Sequence, residues 1–164
     1  MISRLASLKF VAVLGCFLAL AACSKKNTPD LNAGTGPGAV AVPGSEQDFN
    51  VNVGDRVFFL EDQSTLTPEA QETLRRQAAW LNKYPRVTVQ VEGHADERGT
   101  REYNISLSAR RATTTRNFLL SQGVPGSRVS SIAYGKERPA ALCDAEECWS
   151  QNRRTVTVIT GGAN

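Results

Sequence analysis

VTVQVEGHADERGTREYNISLSARRATTTRNFLLSQG, residues 87–123, is the stretch that decides the fold. Val87, Val89 and Val91 alternate with Thr88, Gln90 and Glu92, and a period of two predicts a half-buried strand. The strand ends at Gly93-His94-Ala95-Asp96, and a polar loop runs on to Arg101. A helix is expected from about Glu102 to Gln122, with Gly123 just past its end, where glycine is favoured. On that helix Asn104, Leu107, Ser108, Arg111, Ala112, Thr115 and Leu119 recur three or four apart and share one face. Leu119 and Ala112 need a core, which draws Arg111 to the edge of the same face. A partly buried guanidinium is costly unless an anion meets it.

Upstream, Arg56-Val57-Phe58-Phe59-Leu60 is a β-rich run, followed by Asp62, Ser64 and Thr65 as turn material. Thr67-Pro68-Glu69-Ala70 reads as a helix start, with threonine as cap, proline at the first position and an acid in the first turn. Ala70, Leu74, Ala78 and Leu81 carry that helix to a stop before Pro85. Downstream, Val129 to Tyr134 is a third strand, then comes a cysteine-bearing segment with a helical turn, and Thr155 to Thr160 supplies a last alternating strand. Strands alternating with helices predict one α/β (α+β) sandwich over residues 49–164, a mixed sheet with helices packed on one face.

The first 48 residues are of another kind. Arg4 and Lys9 precede an apolar run from Phe10 to Ala22, too short to span a bilayer and suited to an export signal over residues 1–22. The run ends in Leu20-Ala21-Ala22-Cys23, which resembles the lipobox of bacterial lipoproteins, so Cys23 is the expected lipidation site. Several acyl chains on one residue would anchor durably. Ser24 after the cysteine, by resemblance to enteric lipoproteins, directs the anchor to the outer membrane. Up to about Asp48 the chain is rich in Gly, Pro, Ser, Asn and Ala without period, so residues 23–48 read as a lipidated tether spanning roughly 25–30 Å on average.

The chain carries 19 basic and 16 acidic residues. Without Arg4 and Lys9 the balance is 17 against 16, a net of +1, which gives no footing for nucleic-acid binding. One histidine argues against a multi-histidine metal site, and no cofactor is expected. With Cys16 in the signal and Cys23 lipidated, Cys143 and Cys148 remain, and an oxidising compartment predicts a local disulfide between them.

Glu92-Gly93-His94-Ala95-Asp96-Glu97-Arg98-Gly99-Thr100, then Tyr103-Asn104-Ile105-Ser106-Leu107-Ser108 and Arg110-Arg111-Ala112, closely resembles the core motif of OmpA-like peptidoglycan-binding domains. The Asp-Glu-Arg-Gly-Thr wording is similar to the lipoprotein branch of that family, and the likeness covers about Val57 to Ile159. Ala95 replaces the commonest threonine, and Glu61 stands where relatives often carry an aromatic residue. The resemblance implies an OmpA-like fold and non-covalent binding of peptidoglycan through meso-diaminopimelate of the stem peptide. Its amine would meet Asp62 and Asp96 and its carboxylate Arg111, whose planar fork can donate two parallel bonds. Asn104 and Leu107 would complete the cleft, with Arg98 reaching in from the loop. With the first two strands as neighbours, their ends would bring Asp62 and Asp96 to one rim. The resemblance also implies a place in the Tol–Pal system, which keeps the outer membrane attached and draws it inward at division, with TolB and other Tol proteins as partners.

The residues speak against two other classes. A cell-wall hydrolase would need a nucleophile or metal beside His94, or a general acid of raised pKa, whereas Arg111 would keep both acids ionised. A flagellar stator subunit shares such a module but needs a membrane-spanning helix in place of the export signal. His94, at a strand end, is expected to make a structural hydrogen bond. Asn152-Arg153-Arg154 is expected to support the last strand. The reading is of a non-enzymatic wall anchor.

Overall fold

A computed structural model describes residues 41–164; the signal, Cys23 and most of the tether lie outside the described residues. A helical turn at Glu46–Asp48 leads into a π-helical segment, Phe49–Val53. Then follow strand β1 (Arg56–Phe58), helix α1 (Pro68–Lys83), β2 (Thr88–Gly93), α2 (Arg101–Ser121), β3 (Val129–Ala133), α3 (Glu146–Asn152) and β4 (Arg154–Gly161). The sheet order is β1-β4-β2-β3, with β2 and β3 parallel and the other pairs antiparallel. The predicted mixed sheet is present, but β1 and β2 are not neighbours, since β4 runs between them. Strand order depends on long-range pairing that local alternation does not encode.

Helix α1 begins as expected, with the Thr67 hydroxyl accepting from Ala70 N at 3.2 Å; α2 begins at Arg101, where the Thr100 hydroxyl caps it by accepting from Tyr103 N at 3.2 Å. The buried face of α2 comprises Asn104, Leu107, Ser108, Arg111, Ala112, Thr115 and Leu119, the seven residues picked out by spacing. Leu74 and Leu81 of α1, Leu119 of α2, and Val89 and Val91 of β2 form the core between helices and sheet. Gly93 is required where β2 meets α2, because a Cβ there would lie 2.1 Å from the Ser108 carbonyl oxygen.

The folded region starts earlier than residue 49. Asp48 accepts from the Trp80 indole at 2.8 Å and from Gly44 N at 2.9 Å, and Asn164 donates to the carbonyls of Gly44 and Pro43. The end of the expected tether is thus stitched to α1 and to the last residues of the chain. Cys143 and Cys148 are disulfide-bonded, as expected, with Cα atoms 5.6 Å apart. No helix among the described residues is long and apolar enough to cross a membrane.

Candidate functional site

Past the C-terminal ends of β1 and β2, at the start of α2, lies a cleft of about 260 Å³ lined by Glu61, Asp62, Asp96, Arg98, Gly99, Tyr103, Asn104 and Leu107. Asp62, Asp96, Arg98, Asn104 and Leu107 are therefore brought together as the sequence predicts, although β4 separates the two strands that carry the acids. Arg111 is not in the lining. It has no solvent exposure, and its guanidinium donates to three main-chain carbonyls: Nε to Gln63 O at 2.8 Å, Nη1 to His94 O at 3.0 Å and Nη2 to Leu60 O at 3.2 Å. The expected edge position is a fully internal one. Burial lowers its pKa to about 10, against the favourable charge of Asp96, so it stays cationic at neutral pH.

Asp62 has φ +56°, the left-handed region, which aspartate tolerates better than most residues because its short side chain bonds locally. Its carboxylate accepts from the Tyr103 hydroxyl. Asp96 is surrounded by donors. Arg98 N and Nε reach Oδ1 at 3.2 and 3.3 Å, while Arg98 Nη2 and Arg153 Nη1 reach Oδ2 at 2.8 and 3.4 Å. Burial works to raise the Asp96 pKa, but the Arg98 bonds and charge, aided by Arg153, outweigh it and hold the carboxyl below its usual range.

Arg98 bridges Asp96 to Glu61, whose Oε1 accepts from Nη1 at 2.8 Å. Its guanidinium lies 4.2 Å from the ring centre of Trp149, whose indole N–H donates to Glu97 at 2.9 Å. Arg153, almost fully buried, is tied to the Phe59 carbonyl, to Asp96 and to Glu146 of α3. The expectation that Arg153 supports the fold holds, and the structure adds a direct bond to the site acid. Trp149 and Glu146 gave no signal in the sequence, and Tyr103 entered only as a motif residue without a role. Tyr103 lies off the buried stripe of α2, and the other two reach the site from more than forty residues away.

His94 is 2% exposed, and its main chain is fully used: N donates to Arg154 O at 2.9 Å and O accepts from Arg111. Among the described residues neither ring nitrogen has a hydrogen-bond partner, so the expected structural bond is made by the backbone instead of the imidazole. The ring lies against Tyr134, with Glu92 Oε2 3.7 Å from Nε2. Burial, then the charges of Arg154 and Arg138, lower its pKa to about 4. Among the described residues no cluster of His, Cys, Asp or Glu is arranged to hold a metal ion.

A mixed four-stranded sheet with helices on one face and an acidic cleft at the strand ends defines an OmpA-like domain, and the sequence pattern of the OmpA family matches residues 58–153. The peptidoglycan-associated lipoprotein of Rhizobium meliloti (strain 1021) is 60% identical over 149 residues, covering 90% of this chain and 85% of its own length. That of Haemophilus influenzae is 39% identical over 150 residues, covering 90% and 95%. The crystal structure of the peptidoglycan-associated lipoprotein from Burkholderia pseudomallei matches at TM-score 0.66 and 32% identity, covering 70% of this chain and 98% of that one. The C-terminal domain of Helicobacter pylori MotB matches at TM-score 0.61 and 25% identity, covering 65% and 84%. The chain belongs to the OmpA family, in the branch formed by the peptidoglycan-associated lipoproteins. It is accordingly not an enzyme.

Proposed function

We propose that this chain is an outer-membrane lipoprotein, anchored through Cys23, whose periplasmic domain binds peptidoglycan non-covalently through diaminopimelate of the stem peptide. The observation that carries the reading is the pairing of two carboxylates, Asp62 and Asp96, with an arginine fork, Arg98, in one cleft. An α-amino acid end group carries the complementary ammonium and carboxylate. In this reading the ammonium meets Asp62 and Asp96. The carboxylate meets Arg98 at the rim, and Arg111, sealed beneath the cleft, contributes its positive charge from below. Asn104, whose Nδ2 donates to the Arg98 carbonyl at 2.7 Å, and Leu107 form the wall. The names of the relatives support the wall-binding and lipoprotein parts. By the same kinship we assign the protein to the Tol–Pal system, with TolB and other Tol proteins as partners in outer-membrane integrity and constriction at division.

Calorimetric titration with a diaminopimelate-containing muropeptide tests the site. Asp62→Asn and Asp96→Asn are each expected to weaken binding at least about tenfold, in line with loss of a charge-assisted bond of roughly 1.5–3 kcal/mol. A muropeptide with lysine in place of diaminopimelate, lacking the second carboxylate, should also bind poorly. Wild-type affinity in both variants, with the fold intact, would remove the assignment. Mass spectrometry of the mature N-terminus tests the anchor, and an unmodified Cys23 would sever the link to the membrane.

A further inference from the structure

We propose that Arg98 is the gate of the cleft and that Glu61 is the specificity-determining residue that receives it when it opens; this rests on the ligand reading just given. A carboxylate offers about four lone-pair sites, and Asp96 already receives four donors. No acceptor site is left for an incoming ammonium. Asp62 differs, since among the side-chain donors of the described residues only the Tyr103 hydroxyl reaches it. A zwitterionic end group can therefore settle on Asp62 at once, but it reaches Asp96 only after a donor withdraws.

The four donors are not equally free to move. Arg98 N belongs to the loop backbone, and Arg153 is held from three directions by Phe59 O, Glu146 and Asp96. The Arg98 side chain is one-third exposed, and its Nε and Nη2 are the two donors that can leave. Glu61 supplies the destination. Its side chain is 66% exposed and already takes Arg98 Nη1, so the guanidinium can turn about that bond without losing its counter-charge. The flat ring of Trp149 supports the planar group through the turn. Once turned, the released edge of the fork is free to pair with the ligand carboxylate, which exchanges one bidentate partner for another. Glu61 thus makes the cleft selective for an end group bearing both charges: the ammonium takes Asp96, and the carboxylate takes the fork that Asp96 gives up.

The test uses the full chain in detergent, titrated with the diaminopimelate muropeptide and with the same muropeptide amidated at the free diaminopimelate carboxylate. Wild type is expected to prefer the unamidated form. Glu61→Gln should bind that form about two- to fivefold more weakly, the scale of one exposed ion pair, and lose part of its preference. The Arg98 Nε–H resonance, assigned with Arg98→Lys, should shift on saturation of wild type as the bond to Asp96 is released. Unchanged or tighter binding by Glu61→Gln, or a stationary Nε–H signal in saturated wild type, overturns the gate while leaving the site in place. Absence of wild-type binding to either muropeptide overturns the ligand reading itself, and the gate with it.

Discussion

Two buried ionisable groups stand two residues apart just past β2, and their surroundings are opposite. Asp96 has four donors and is held in its charged form; the His94 imidazole has no hydrogen-bond partner and is held in its neutral form. Burial disfavours charge at both. On the cleft side arginines overcome it, whereas on the other side Arg154 and Arg138 add to it, because repulsion of a cation works in the same direction as desolvation for histidine. A protein can bury an ionisable group by supplying partners or by keeping it uncharged, and this strand end does both within three residues. The side rich in partners is the one with chemistry to offer a ligand.

Arg111 joins the two sides, since it bonds the His94 carbonyl and lies within the fields of Asp96 and Asp62. Arg111→Met keeps most of the volume but strips three carbonyls, one buried and two partly buried, of their donor. We expect the largest loss of stability here, at least about 3 kcal/mol by urea denaturation, given roughly 1–3 kcal/mol for each buried group left unsatisfied. A loss below about 1 kcal/mol would show that the carbonyls find other donors. For the same reason Arg111 variants are poor probes of ligand binding, because unfolding would imitate a lost contact.

Acid separates the two sides by pH window. The folded-state pKa of His94, about 4, lies below its ordinary value of 6.5, so the unfolded chain binds more protons between those limits. The associated stability is complete above pH 6.5 and is lost as pH falls toward 4, by up to about 3 kcal/mol at 1.36 kcal/mol per pKa unit. Asp96 is also depressed, but from 3.8, so its contribution disappears only below that value. Thermal melts of wild type and His94→Gln from pH 7 to 4 should show a steep decline in the former and a flatter one in the latter. Parallel declines would place the acid sensitivity elsewhere.

The smallest effect should fall on the cleft side alone. The disulfide closes a short loop at the start of α3, which carries Glu146 to Arg153 and Trp149 to Arg98. Cys143→Ser with Cys148→Ser is expected to cost about 2 kcal/mol, the chain-entropy scale for so short a loop. The pH dependence between 6.5 and 4 should be untouched, and a change in that slope would mean that α3 supports the His94 side as well.

Some of this could be read from local spacing and some could not. The seven buried residues of α2 and the Thr67 cap follow from periodicity and cap chemistry, which involve neighbours within a few residues. The insertion of β4 between β1 and β2 does not, because register and order are decided by distant pairing. Spacing puts Arg111 on the right face, but its depth depends on carbonyls from the 60–63 turn, about fifty residues upstream. By resemblance Glu61 only takes the place of an aromatic residue; in the folded chain it is the second anion for Arg98. Composition puts the boundary near residue 48 because it does not see that Trp80 and Asn164 capture the end of a Gly- and Pro-rich segment.

That capture has a mechanical consequence. Gly44 and Pro43 are fastened at the end of the sheet where Thr88 faces Gly161, whereas the cleft lies at the other end, past Gly93. A pull between residues 41–44 and anything gripped in the cleft therefore runs along the strands, roughly 25 Å of β4 at about 3.4 Å per residue. Force in that direction loads the interstrand hydrogen bonds side by side in shear instead of opening them one at a time, an arrangement suited to a domain held at one end and gripping at the other.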